Sequence, residues 1–157
     1  MRLEHIYLSR GHNFFGHHGK PPGEHPIEEV RQAGCVTDKG LVGDRFFGFK
    51  ENYKGQVTFF AQEVYDALCR DLRIFDKTPA ALRRNLIVSG ADLNALVGKR
   101  FRLQQVEFEG MEECRPCDWM NLSFGPGAEA WLKGRGGLRA RVVSGGKLAT
   151  AQRTVTG

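Results

Sequence analysis

Cys114 and Cys117 frame an Arg-Pro pair in the segment EECRPCDWM (112–120), while the other two cysteines, Cys35 and Cys69, stand alone. A C-x-x-C pair has four uses. It can be half of a zinc site, a redox couple, two thiols without a task, or a reactive thiolate. The zinc reading needs a second ligand pair at metal spacing, and adjacent His17 and His18 do not supply an ordinary one. The redox reading wants the pair at a helix start after a strand in a β-α-β setting, which the flanking sequence lacks. Arg115 beside the pair, and a helix beginning near Cys117, would favour a thiolate. A thiolate is both a nucleophile and a soft metal ligand. On the residues alone all four readings stay open.

The second set is the arginines. Arg45 sits in GDR, Arg83 and Arg84 in RRN, and Arg135, Arg139 and Arg141 in GRGGLRAR. A guanidinium forks onto phosphate or carboxylate, and neighbouring glycines let a backbone approach an oxyanion closely. Lys and Arg outnumber Asp and Glu 23 to 18, so exposed arginines without a task are equally expected. The excess favours an anionic partner without naming one. Arg139 and Arg141 fall on one strand face and can act together. GRGG resembles an RNA-binding RGG segment, but one copy without interleaved aromatics is a poor base-stacking surface, so no specific nucleic acid is expected. His12, His17, His18 and His25 lie in a Gly- and Pro-rich loop, GHNFFGHHGKPPGEHP (11–26). They form no i,i+4 pair that would preform a metal site. No phosphate-binding loop, dinucleotide fingerprint or G-x-S-x-G elbow occurs.

Positioning these residues falls to many short elements. Strands are predicted over 2–9, 27–37 with a possible bulge at Gly34, 56–60 and 83–90. Another runs over 99–110, where the apolar face switches as at a bulge. A helix is predicted over 61–72 from the spacing of Val64, Ala67, Leu68 and Leu72. A single helical turn is expected at 92–96, and a short helix over 128–134 closing at Gly134. Strands over 137–146 and 147–155 joined by Ser-Gly-Gly read as a hairpin. Repeated strand-then-helix units are lacking, so the pattern predicts a β-rich barrel or sandwich. At 157 residues the chain is read as one domain, 1–157, able to bury a core without staples. No apolar run approaches the ~20 residues that span a bilayer, and the N-terminal residues lack a secretory h-region. A soluble, cytoplasmic protein with reduced thiols and no membrane partner is expected.

Taken in order, HPIEEV, GLVGDRFFG, QVTFF, RRNLIVSGADLNALVGKRF, CRPC and GRGGLRARVVSGG resemble the MOSC domain family, named for the C-terminal domain of molybdenum-cofactor sulfurases. The resemblance spans about residues 1–155 and is closest to small stand-alone members. It implies a mainly β fold, a closed or partly open β-barrel with a few peripheral helices. It also implies the molybdenum cofactor, a pterin bearing a dithiolene and a phosphate. By motif position Cys117 would hold a persulfide sulfur or ligate molybdenum, with Cys114 as its helper or resolving thiol. Asp44, Arg45, Arg83, Arg84, Asn85 and Arg139 fall in motifs on the cofactor side. The implied task is cofactor binding or sulfur carriage, with a cysteine desulfurase or a molybdoenzyme as sulfur donor or acceptor. Pyridoxal phosphate would belong to the donor and is not expected on this chain. The alternative is a molybdenum-dependent reductase of N-hydroxylated compounds, with electrons from an external reductase.

Overall fold

A computed structural model describes residues 1–11 and 26–151. The loop histidines His12, His17, His18 and His25 lie outside the described residues. The elements in chain order are β1 (Arg2–Leu8), β2 (Glu28–Val30), β3 (Gln32–Val36), β4 (Gly40–Leu41), β5 (Val57–Ala61), α1 (Gln62–Leu72), β6 (Leu86–Ser89), β7 (Arg100–Leu103), β8 (Val106–Glu113), α2 (Trp119–Ser123), α3 (Ala128–Trp131), β9 (Leu138–Ser144) and β10 (Gly146–Ala149). Single 3-10 turns occupy Pro79–Leu82 and Leu93–Leu96. No helix among the described residues is long and apolar enough to cross a membrane.

The fold is mainly β, but the expected barrel closure is absent. Seven strands form one open sheet, ordered β2-β1-β6-β5-β9-β8-β7, and three form a second, β10-β3-β4. The reason lies at two crossings where the chain leaves the large sheet. The predicted strand 27–37 breaks at Arg31: its first half, β2, pairs with β1, and its second half, β3, pairs with β10. Gly34 sits in register opposite Lys147, so it is no bulge. Likewise Ser-Gly-Gly is no hairpin turn. β9 stays in the large sheet while β10 joins β3, and a Cβ on Gly145 would run into the Cys35 carbonyl. Glycine permits that close passage.

A third correction concerns 99–110. The face switch marks a two-residue turn, because Leu103 pairs with Val106 across Gln104 and Gln105. A two-residue turn and a bulge both exchange the faces of following residues. Gln104 takes the left-handed backbone that such a turn requires. β5 and β6 pair in parallel through α1, so the fold contains one strand-helix-strand unit.

Strand alternation sorts the side chains into two cores. Val57, Phe59, Leu86, Val88, Leu138, Ala140 and Val142 face the small sheet, which contributes Ala33, Cys35, Leu41 and Leu148. On the opposite face Tyr7, Phe60 and Ile87 pack under the helices against Leu68, Met120, Phe124 and Leu132. The helices cover only part of that second face. Beyond them its alternating positions turn polar: Thr58 two residues before Phe60, Asn85 two before Ile87, and Ser9 two after Tyr7. Arg139 stands opposite both Thr58 and Glu112 in the register. The candidate site occupies this uncovered end.

Candidate functional site

The connections at this end carry the buried charges. After β4 the chain turns at Asp44, whose side chain is fully buried. Its Oδ2 accepts the Phe46 amide at 3.2 Å, a local Asx-type turn. Its Oδ1 accepts the Ser9 amide at 3.0 Å and Arg45 Nη1 at 3.1 Å. The Arg45 amide in turn donates to the Ser9 carbonyl at 2.7 Å. Asp44 thereby stitches the end of β1 to the GDR turn and holds Arg45, itself 9% exposed at the side chain.

Arg83 and Arg84 enter between the 3-10 turn and β6. Arg83 sits at φ 56°, the left-handed region that an L side chain enters at a cost of ~1 kcal/mol. From there its Nη2 donates to Ser9 Oγ at 3.2 Å. Arg84 points the other way and is buried. Its Nε donates to the Gly136 carbonyl at 3.0 Å, Nη1 to that of Leu82 at 3.0 Å, and Nη2 to that of Cys114 at 3.2 Å. Arg45 Nη2 reaches the Arg83 carbonyl at 3.4 Å. Arg45 thus stands between Arg83 and Arg84, near enough to interact electrostatically with each, and its own guanidinium is bonded to the Asp44 carboxylate.

The electrostatics follow. Burial lowers the pKa of Arg45, and Asp44 opposes that while Arg84 adds to it. Burial also pulls Arg83 down from 12.5 to about 10, with Arg45 adding to the fall and Asp44 resisting. The guanidiniums repel one another in a poorly solvated place, so the group is positive and an anion would relieve it.

Cys114 and Cys117 are free thiols in different surroundings. Cys114 is half-buried and Cys117 exposed, whereas Cys35 and Cys69 are buried. Burial pushes the Cys35 thiol up to about 12. The backbone of Cys114 is held at both ends, its amide donating to the Gly137 carbonyl at 2.8 Å and its carbonyl accepting from Arg84. A Cβ on Gly136 would collide with that carbonyl and with Pro116, which gives the second glycine of GRGG a packing reason. Arg45 lies close enough to Cys114 for the two to interact electrostatically. Cys117 lies on the loop before α2, its carbonyl accepting the Met120 amide at 2.9 Å. That helix starts at Trp119 and spans only 5 residues, too short to exert the field expected at Cys117. Among the described residues no three His, Cys, Asp or Glu side chains gather as a metal set.

Two of the sequence candidates stand apart from the arginine group. Asn85 is a clamp between strands: its Oδ1 accepts from the Thr58 amide and hydroxyl at 3.0 and 3.1 Å, and its Nδ2 donates to the Tyr7 carbonyl at 3.1 Å. Arg139 pairs with Glu112 at 2.5 Å. It also lies over the Tyr53 ring, 5.3 Å from its centroid, where Gly55 leaves it room. Tyr53 stacks on Phe46 at 5.5 Å, and Arg45 caps Phe46 at 4.6 Å. An alternating column therefore links Arg45 to Arg139. Ser9, Gly136, Phe46 and Tyr53 were missed in the sequence because their contributions are a hydroxyl, a carbonyl and two ring faces, none of which has a spacing signature.

The MOSC domain model matches residues 16–154. The crystal structure of the YUAD protein from Bacillus subtilis is 17% identical with a TM-score of 0.74, and the match covers 95% of this chain and 91% of that one. YiiM from Escherichia coli is 20% identical with a TM-score of 0.64, covering 95% of this chain and 66% of that one. A hypothetical protein at 18% identity and TM-score 0.64 is covered to 65%. The chain spans about two thirds of the length of these last two, and at such identities the likeness speaks for the fold. No curated protein matches the chain.

Proposed function

The chain belongs to the MOSC domain family, and from that premise we propose that it is a molybdenum-cofactor-handling module. Arg45, Arg83 and Arg84 would hold the phosphate of the pterin, and the thiols of the 114–117 segment would carry sulfur beside it. One observation carries this reading: the buried Arg45, held by Asp44, stands within electrostatic reach of the buried Arg84 and the half-buried Arg83, so positive charge gathers at this end of the sheet. Such a cluster fits a multiply charged oxyanion, because charge-assisted bonds to phosphate are short and strong. The same donors spread over backbone carbonyls stay preorganised when no anion is bound. The cofactor would supply metal and dithiolene chemistry, and the chain the anion cradle and an exposed soft thiol at Cys117.

The test is to purify the protein from a cofactor-replete host and measure bound pterin by the fluorescence of its oxidised form. Wild type should retain pterin, and Arg83→Ala should lose it by about tenfold or more, the worth of one charge-assisted contact. Wild-type protein free of pterin, or an Arg83→Ala variant that retains it fully, overturns the reading.

A further inference from the structure

The two thiols of CRPC are not equivalent, and their difference has a direction. Cys117 is exposed on a loop, open to a partner macromolecule. Cys114 is half-buried. Its amide is held by Gly137 at 2.8 Å and its carbonyl by Arg84 at 3.2 Å, and glycine at 136 closes the loop down onto it. It lies within the field of Arg45. Cys117 is therefore the more accessible thiol, and Cys114 is the one whose backbone is fixed against Arg84. Two residues, Arg115 and Pro116, lie between them, and Pro116 limits the backbone there.

We propose that the pair is a sulfur relay: Cys117 takes a sulfane sulfur from a protein cysteine persulfide, and Cys114 receives it and presents it next to the guanidiniums. This rests on the reading above and reverses the expectation that Cys117 is the terminal thiol. In the first step the Cys117 thiolate attacks the terminal sulfur of the donor persulfide. The donor S–S bond breaks, the donor cysteine leaves as thiolate, and Cys117 becomes a persulfide. In the second the Cys114 thiolate attacks that terminal sulfur, the Cys117 S–S bond breaks, and Cys117 returns to thiolate. No net electrons are exchanged. Access sets the first step, since an exposed thiol meets a protein-bound donor that a half-buried one does not. The second is an intramolecular transfer, favoured by effective concentration.

The experiment incubates the full chain with a cysteine desulfurase and labelled cysteine, and alkylates samples over time. The peptide spanning both cysteines is then fragmented to place the label. In wild type the sulfur should appear on Cys117 first and accumulate on Cys114. In Cys114→Ser it should stop at Cys117, and in Cys117→Ser its arrival at Cys114 should slow by about tenfold or more, since exchange depends on access. Cys117→Ser loading Cys114 at the wild-type rate, or wild-type sulfur remaining on Cys117, overturns the relay and leaves sulfur carriage standing. Label on neither cysteine in any form overturns sulfur carriage itself, and the relay with it.

Discussion

Arg45 and Arg84 sit in the connections at one end of the large sheet, whereas Arg102, Arg139 and Arg141 lie on its strands, and the two groups satisfy their guanidiniums differently. On the strands each arginine meets a carboxylate across the ladder: Arg102 meets Glu107 at 3.8 Å, Arg139 meets Glu112, and Arg141 meets Glu109 at 3.3 Å, with Asp38 in a neighbouring turn at 3.2 Å. Those charges cancel in pairs, as cross-strand neighbours do. In the connections the partners are mainly carbonyls, which accept hydrogen bonds without neutralising charge. The same side chain therefore holds the sheet together in one region and maintains a positive field in the other. Count and spacing of arginines do not separate the two; the identity of the acceptor does.

The largest effect should come from Arg84→Lys. One ammonium cannot reach carbonyls at Gly136, Leu82 and Cys114 together, so the variant should lose about 3 kcal/mol or more in urea unfolding. A neutral result would mean that charge alone, not the fork, matters at this position. A smaller effect should come from phosphate. Arg83 is held below its ordinary value, to about 10, so its charge weakens the fold at every pH where it is protonated in both states. That penalty lifts as pH rises through about 10 toward the unfolded value. On the proposed reading, phosphate should offset that penalty, raise Tm at about pH 7 and lose the increment by about pH 11. An increment that persisted there would place the anion elsewhere. The smallest effect should come from Arg102→Ala on the exposed ladder, below about 1 kcal/mol. A larger loss would erase the contrast between the two groups.

Much of the fold was legible. α1 follows from Val64, Ala67, Leu68 and Leu72 at helical spacing, and its buried residues include Leu68. β5 follows from a β-branched and aromatic run. What failed was partner choice. The 27–37 segment reads as one strand, since nothing local marks Arg31 as the point where it changes sheets. Ser-Gly-Gly has hairpin chemistry, and its glycine is needed instead for passage past Cys35. Gln104-Gln105 lacks the Asn or Gly that flags a two-residue turn. In the candidate site, Asp44 and Arg45 stand out because GDR combines charge with glycine. Asn85 stands out equally but spends its side chain on Thr58 and Tyr7. Both kinds of residue look alike in a sequence, because burying a polar group for structure and placing one for chemistry demand the same residue types.

By itself the sequence determined that the chain would be mainly β with one amphipathic helix, because alternation and helical spacing are local properties of neighbouring residues. It also made the C-x-x-C thiols and the arginines the candidates for chemistry, since residue type sets what a side chain can do. The tertiary structure decided the rest: open sheets rather than a closed barrel, which arginines lie together, and which of two thiols is half-buried. Those outcomes depend on segments far apart in the chain, such as Ser9 with Arg83 at 3.2 Å and Arg84 with Gly136 at 3.0 Å. Contacts of that kind arise from packing, and no local pattern encodes them.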